Sequence, residues 1–206
     1  MKKLIALYIL YVFALMPVFA DCDYQLIFGQ KKYKLGKYDE AIIVYDSVVL
    51  AYPHNYRPYY LRGEAKLALD DNESAEKDFD TVIILEKHKP DGYYGKALAR
   101  IQMEDYAEAL KHINKAIALD PYSSDKYCKR SYINYKLNKK ALAYDDVDKA
   151  IKLDPKNPES YNLRGLYKLN HKRYKDANED YKKARKLAEK IQKHQEKIDK
   201  KTKIVS

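Results

Sequence analysis

Small and large apolar residues recur along this chain in columns that repeat every 34 residues. Alanine occupies five such positions without a gap: Ala41, Ala75, Ala109, Ala143 and Ala177. A second column is restricted to small side chains: Gly29, Gly63, Ala97, Ser131 and Gly165. A third column holds large apolar side chains: Tyr45, Phe79, Ile113, Val147 and Tyr181. Several columns in one register indicate a tandem array of five 34-residue repeats.

Within each repeat, the apolar positions follow the spacing of paired amphipathic helices. In the third repeat, Ala109, Ile113 and Ala116 fall on one face of residues 106–119. Small residues in both halves of a repeat would let two helix backbones approach closely. A proline, which cannot continue a helix, closes three repeats: Pro53, Pro121 and Pro155. We therefore predict an all-α fold of five helix-turn-helix repeats at residues 22–55, 56–89, 90–123, 124–157 and 158–191.

This register resembles the tetratricopeptide repeat family at its signature columns. Three features depart from the family pattern: tyrosine replaces the tryptophan of the first helix, Gln25 stands there in the first repeat, and Lys87 and Glu189 replace two closing prolines. The resemblance implies a right-handed α–α superhelix, a solenoid, that ends in a C-terminal capping helix. It also implies that the first helices of successive repeats line a concave groove, which binds an extended peptide or a helix of another protein.

The implied groove can be placed on this chain residue by residue. The first two repeats contribute Leu26, Gln30, Tyr33, Lys34, Arg57, Tyr60, Glu64 and Leu67. The other three contribute Asp91, Tyr94, Leu98, Ile101, Gln102, Asp125, Cys128, Tyr132, Tyr135, Lys136, Asn162, Leu166 and Leu169. The residues predicted to bind the partner are Lys34, Arg57, Tyr60, Tyr94, Gln102, Tyr132, Tyr135 and Lys136. Tyrosine offers large apolar area with a polar tip, although some of these tyrosines could instead only pack against neighbouring helices.

Charged residues also recur with the repeat. Basic residues precede the small column at Arg62, Lys96, Arg130 and Arg164. Acidic residues recur in the second half of the repeats at Asp46, Asp78, Asp80, Asp146, Asp148 and Asp180. Evenly spaced opposite charges favour a ladder of ion pairs between neighbouring helices. The alternative is a basic stripe that binds an acidic ligand.

The first twenty residues differ in composition from the repeats. Lys2 and Lys3 precede an apolar run at residues 4–16, and small to medium residues end the segment at Ala20. This pattern is typical of a secretory signal peptide spanning residues 1–20, and it predicts a periplasmic or secreted protein. Two alternatives would attach the chain to a membrane: an uncleaved leader, or a lipid on Cys22. Three repeats separate Cys22 from Cys128, so no disulfide between them is expected.

Most of the excess positive charge lies near the C-terminus. The chain has a formal net charge of +10, and residues 182–203 contain ten lysines or arginines against three acids. Residues 192–206 are predicted to form a basic helical extension and tail. The extension would cover the end of the core and keep the protein soluble. The alternative is contact with an anionic membrane or a cell-wall polymer. Nucleic acid is not an expected partner, since no aromatic residue interrupts the basic run.

The sequence contains no pattern that predicts catalysis or a cofactor. Its five histidines lack paired metal-ligand spacing, and neither a nucleophile elbow nor a glycine-rich phosphate loop occurs. We therefore expect no enzyme activity, no metal and no cofactor. The function predicted from sequence is an exported, non-catalytic scaffold that binds another protein in its groove. The alternative is a membrane-associated adaptor or lipoprotein-like assembly factor, anchored by its N-terminus or its basic tail.

Overall fold

The computed structural model describes residues 22–205, with side chains to residue 198, as two compact halves that divide between Glu104 and Asp105. The N-terminal half contains α1 (Cys22–Lys34), α2 (Tyr38–Ala51), α3 (Tyr56–Ala68), α4 (Asn72–Leu85) and α5 (Asp91–Gln102). The C-terminal half contains α6 (Tyr106–Leu119), α7 (Ser124–Lys136), α8 (Lys140–Leu153), α9 (Pro158–Asn170) and α10 (Tyr174–Val205). The described range contains no strand, and the predicted all-α fold is confirmed. The predicted signal peptide, residues 1–20, lies outside the described residues.

The repeating alanines form the contact between paired helices. Within each half, every helix packs against the next helix along the chain. The five alanines 34 residues apart, from Ala41 to Ala177, are all buried, with at most 1% of their surface exposed. Their burial confirms that the small side chains lie where the helices approach most closely.

The small column of the first helices faces the large column of the second helices. A Cβ atom added to Gly29 would lie 2.4 Å from Cε1 of Tyr45, and one added to Gly63 would lie 2.6 Å from Cε1 of Phe79. Both rings are fully buried. Because ordinary carbon contacts lie at about 3.5–4.0 Å, neither glycine position has room for a side chain.

The first helix of each repeat ends next to a residue whose backbone is in the left-handed conformation. Positive φ angles of 59–72° occur 34 residues apart at Gly36, Asp70, Glu104, Asn138 and Lys172. In the second repeat, the next amide, of Asp71, donates to the carbonyl of Lys66 at 2.9 Å, which is the long hydrogen bond of a Schellman motif. Glycine and asparagine adopt this conformation readily. The sequence alone did not indicate that glutamate and lysine would have to adopt it.

Side-chain caps begin several of the helices. Asn55 accepts a hydrogen bond from the amide of Arg57, and Asp71 accepts one from the amide of Ser74. Asn157 caps α9, with Pro158 at its first turn. Each cap satisfies an amide that would otherwise lack a partner at the start of a helix, so short polar residues fix where these helices begin.

The last helix continues past the fifth repeat. α10 has 32 residues, and Ala177 and Ala184 are its buried alanines. Beyond Ala184, its side chains are mostly exposed as far as residue 198. No helix within residues 22–205 combines the length and the apolar character needed to cross a membrane.

Candidate functional site

A cleft opens between α1 and α3 in the N-terminal half. Its volume is about 200 Å³, and its walls are Gln30, Tyr33, Lys34, Tyr45, Leu61 and Glu64. The α1 residues lie one helical turn apart, as do the α3 residues, so each helix presents one face to the opening. We call this opening the Glu64 cleft, because Glu64 is its acidic wall residue.

The carboxyl group of Glu64 is in an unusual environment for an acid. Burial raises its pKa, a hydrogen bond from the Tyr60 side chain lowers it, and repulsion from Asp91 raises it again, so that the pKa of Glu64 lies above its ordinary value. Burial favours the uncharged form because a carboxylate loses water that nothing else fully replaces.

Three tyrosines surround this carboxyl group. Burial, followed by the nearby charge of Glu64, raises the pKa of Tyr33, Tyr45 and Tyr60. All three therefore keep their protons at neutral pH. Tyr60 also packs against Phe79 with ring centroids 5.9 Å apart, and Tyr33 meets Tyr38 edge-on at 5.2 Å. These contacts hold the tyrosine rings in place around Glu64.

The hydroxyl of Tyr45 has no hydrogen-bond partner among the described residues. Its side chain is fully buried, and the ring rests on the backbone of Gly29. A buried hydroxyl without a partner costs about 1–3 kcal/mol, so most are paired. The Glu64 cleft therefore contains both a poorly solvated carboxyl group and an unsatisfied hydroxyl.

A second aromatic cluster, which we call the α7 cluster, surrounds Tyr132, Tyr135 and Lys136 of α7 in the C-terminal half. The rings of Tyr106 and Tyr132 meet edge-on with centroids 6.2 Å apart, and the ammonium group of Lys136 lies 5.5 and 5.6 Å from them. Tyr135 stacks on Tyr167 with centroids 4.3 Å apart. Its hydroxyl accepts a 2.6 Å hydrogen bond from the side-chain amide of Asn170. The Lys136 ammonium group therefore already lies over two aromatic rings, and the Tyr135 hydroxyl already has a hydrogen-bond partner.

Comparison with known families accounts for these helix pairs. Models of the tetratricopeptide repeat match residues 28–83, 90–123, 127–157 and 147–186, most of the described chain. The chain belongs to the tetratricopeptide repeat family. No curated protein matches it.

Solved tetratricopeptide structures share the fold of this chain. A thermophilic protein of Thermus thermophilus is 20% identical with a TM-score of 0.76, over 82% of this chain and 92% of that one. A tetratricopeptide repeat protein of Parabacteroides merdae ATCC 43184 is 24% identical with a TM-score of 0.73, over 90% and 73%. MamA of Desulfovibrio magneticus RS-1 is 20% identical with a TM-score of 0.65, over 83% and 97%. These likenesses confirm the predicted fold class.

The predicted binding residues of this tetratricopeptide protein lie in different environments. Lys34 lines the Glu64 cleft, and Tyr60 lies beside it, where its side chain lowers the pKa of Glu64. Arg57 forms an ion pair with Asp23, and the side-chain amide of Gln102 donates to a backbone carbonyl of α3 at 3.2 Å. Tyr94 is half-buried on α5.

The remaining predicted residues are Tyr132, Tyr135 and Lys136, which form the α7 cluster. Three of the other residues placed in the groove belong instead to the core: Leu26, Leu67 and Cys128. Leu26 and Cys128 are each only 1% exposed, and the Cys128 thiol lies 3.2 Å from the hydroxyl of Ser160. Family equivalence placed them on the groove because it marks the helix face without showing how deeply each residue is covered.

The recurring charges of this tetratricopeptide protein form a ladder of ion pairs. Arg62 donates to Asp78 at 2.5 and 2.9 Å, and to Asp46 at 2.6 Å. Arg164 repeats the arrangement with Asp180 and Asp148. In each case the acids lie 16 residues before and after the arginine. Arg62 and Arg164 therefore link α3 and α9 to the second helices on both sides, as the ladder interpretation predicted, rather than forming a free basic stripe.

The described residues contain no cluster of histidine, cysteine and acidic side chains that could hold a metal ion. Tetratricopeptide repeat proteins are generally scaffolds without catalytic activity. The first-helix faces, with their tyrosines and the cleft, are suited to recognition of a polypeptide.

Proposed function

We propose that this chain is an exported, non-catalytic scaffold that binds a peptide or helix of another protein on its first helices. One observation supports the proposal most. The first-helix residues include half-buried tyrosines and an open cleft, whereas the arginines of the ladder are occupied by neighbouring acids. The surface available to a partner is therefore aromatic and polar, a composition found at energetically important positions of protein interfaces.

The test is affinity capture of partner proteins from the native envelope fraction. Replacing Tyr94 and Tyr132 together with alanine removes one ring from each half of the chain. We expect the captured partner to be lost, since truncating an aromatic anchor typically costs about 2 kcal/mol or more. The matched control replaces Tyr122 and Tyr174, two tyrosines that are 80% and 63% exposed outside the first helices. Equal capture by both double variants would refute binding on the first helices.

Export follows from the pattern of residues 1–20 and is part of the proposal. A cleaved signal would leave a mature chain that begins at Asp21. Mass spectrometry of the protein purified from its native source measures this terminus directly. A mature terminus at unmodified Asp21 supports a periplasmic or secreted location. Retention of the leader, or a lipid on Cys22, would instead indicate a membrane-associated protein.

A second candidate function, a membrane-associated adaptor, is favoured by the exposed basic helix α10. Its described side chains after Ala184 face solvent, and residues 182–203 carry a surplus of positive charge. Attraction to anionic lipid through such a helix weakens as salt screens it. Cosedimentation with phosphatidylglycerol vesicles that is lost at high salt would support this function. Absence of binding at low salt would exclude attachment through α10.

A further inference from the structure

Two acids of the N-terminal half that are buried or half-buried, Asp78 and Glu76, each lie close to two basic side chains. Asp78 is paired with both Arg62 and Lys66, at 2.5 and 2.8 Å. Glu76 is paired with Arg100 at 2.7 Å, and Lys96 lies 3.6 Å from it. Two cations thus compensate each of these acids, as expected for carboxylates removed from water.

Glu64 lacks such compensation. Among the ion pairs of residues 22–198, none involves Glu64, and the influence that lowers its pKa comes from the neutral side chain of Tyr60. Lys34 lines the same cleft, but its side chain is exposed and does not pair with the carboxylate. The charged group that acts on its pKa is the repulsive carboxylate of Asp91. The cleft therefore holds negative charge without a counter-ion.

The walls of the cleft restrict what could supply that counter-ion. Tyr45 lines the cleft, and its buried hydroxyl, which has no partner among the described residues, can accept a hydrogen bond from a donor that enters. The electron-rich faces of tyrosine rings attract ammonium and guanidinium groups. An anion would meet repulsion from Glu64 and Asp91, and an apolar group would leave both Glu64 and Tyr45 unsatisfied. A cation with N–H donors satisfies all of these groups together.

The size of the cleft sets the scale of this ligand. A volume of about 200 Å³ is several times the roughly 30 Å³ that one water molecule occupies, but it is too small for a helix. One side chain reaching in from a bound polypeptide fits this volume. The cleft also opens between two first helices, on the surface where the proposed function places the partner.

We propose that the Glu64 cleft binds one lysine or arginine side chain of the partner polypeptide, with Glu64 as counter-ion and Tyr33, Tyr45 and Tyr60 around it. This inference rests on the proposed function, since it names the side chain that a bound peptide would insert. It assigns a basic specificity to one position of the ligand.

The test titrates the isotope-labelled full chain with four blocked pentapeptides and follows the backbone amide shifts. The peptides have alanine on both sides of a central lysine, arginine, norleucine or glutamate. We expect saturable shifts near Gln30, Tyr33 and Leu61 with lysine or arginine, and none with norleucine or glutamate. Equal binding of the norleucine peptide would overturn the inference, because norleucine keeps the apolar stem of lysine without its charge.

Two substitutions in the cleft and one control outside it test the roles of Glu64 and Tyr45. Glu64→Gln retains the size of the side chain and removes its charge, so the lysine peptide should bind at least about tenfold more weakly. Glu73→Gln makes the same chemical change at an exposed position outside the cleft and should leave binding unchanged. Tyr45→Phe removes only the unpartnered hydroxyl and should weaken binding by a smaller factor. Unchanged affinity in Glu64→Gln would refute the assignment.

The failure of this inference can be separated from the failure of the proposed function. If Glu64→Gln still captures the native partner while the Tyr94 and Tyr132 double variant does not, the first helices bind the partner but the basic specificity is wrong. If the double variant still captures the partner, the proposed function is wrong. In that case, the peptide titration still reports on the cleft by itself.

Discussion

Adding one methyl group at Gly95 tests the packing that joins the second and third repeats. Gly95 lies in α5, and a Cβ atom there would lie 2.3 Å from Cδ1 and 2.6 Å from Cγ of Phe79. Ordinary carbon contacts lie at about 3.5–4.0 Å, so the shortfall exceeds 1 Å. Phe79 is fully buried and Gly63 borders the same ring, so the ring cannot withdraw without disturbing its neighbours.

The expected cost of Gly95→Ala combines two opposing effects. Overpacking a well-filled core costs about 1–3 kcal/mol, and the size of this overlap places Gly95 near the upper end. Replacing glycine by alanine inside a helix returns about 1 kcal/mol of helix propensity. The net expectation is a loss of about 2 kcal/mol in the free energy of unfolding. For a chain of this length, such a loss lowers Tm by roughly 4–8 °C.

The assay is denaturant-induced unfolding followed by far-ultraviolet circular dichroism. Gly165→Ala serves as the matched control, because its Cβ atom would lie 3.0 Å from Tyr181, a half-buried ring that can shift. This control should be close to neutral. Combining Gly95→Ala with Phe79→Leu should cost less than the sum of the two single changes, because leucine vacates the ring position. If Gly95→Ala is as stable as the parent chain, the account of this contact is wrong.

Three further predictions concern single side chains. Asp78→Asn should lower the free energy of unfolding by about 3 kcal/mol, because it removes the buried carboxylate that Arg62 and Lys66 share and leaves Lys66 without an ion-pair partner among the described residues. Asp80 is exposed, so Asp80→Asn should cost less than about 1 kcal/mol. Chemical denaturation compares the two variants, and equal losses would contradict the importance of the ladder. Burial raises the pKa of the Cys128 thiol to about 11, so this thiol should react with maleimide only after the chain is denatured. Mass spectrometry measures the labelling, and rapid labelling of the native chain would contradict the burial of Cys128. Because the pKa of Glu64 is raised in the folded state, Glu64 contributes favourably to the free energy of unfolding when the pH is below its unfolded pKa of 4.5. That contribution is lost as the pH rises through the pKa of the folded state. Glu64→Gln should therefore raise Tm at pH 7 by more than it does at pH 4, and an equal effect at both would argue against the raised pKa.

The candidate site was predictable only in part. Equivalence with the family placed Tyr60 and Lys34 near an opening, and the structure puts both at the Glu64 cleft. Whether they bind a partner stays a prediction. The same equivalence gave no reason to rank Glu64 above other acids of the first helices. Glu64 stands out because it has no counter-ion within the described part of the folded chain, and the absence of a tertiary contact cannot be predicted from the sequence.

The sequence by itself determined the helical class and the repeat register, because local features generate both. The sequence shows an alanine every 34 residues and a column of small residues with the same spacing, because the two helices of every repeat pack against each other in the same way. The tertiary structure alone decided which side chains meet across helices. Gly95 lies outside the small column, and only the position of the Phe79 ring explains why a glycine stands there. The distance between two helices depends on the combined size of side chains from several repeats. The periodicity of the sequence does not predict that distance.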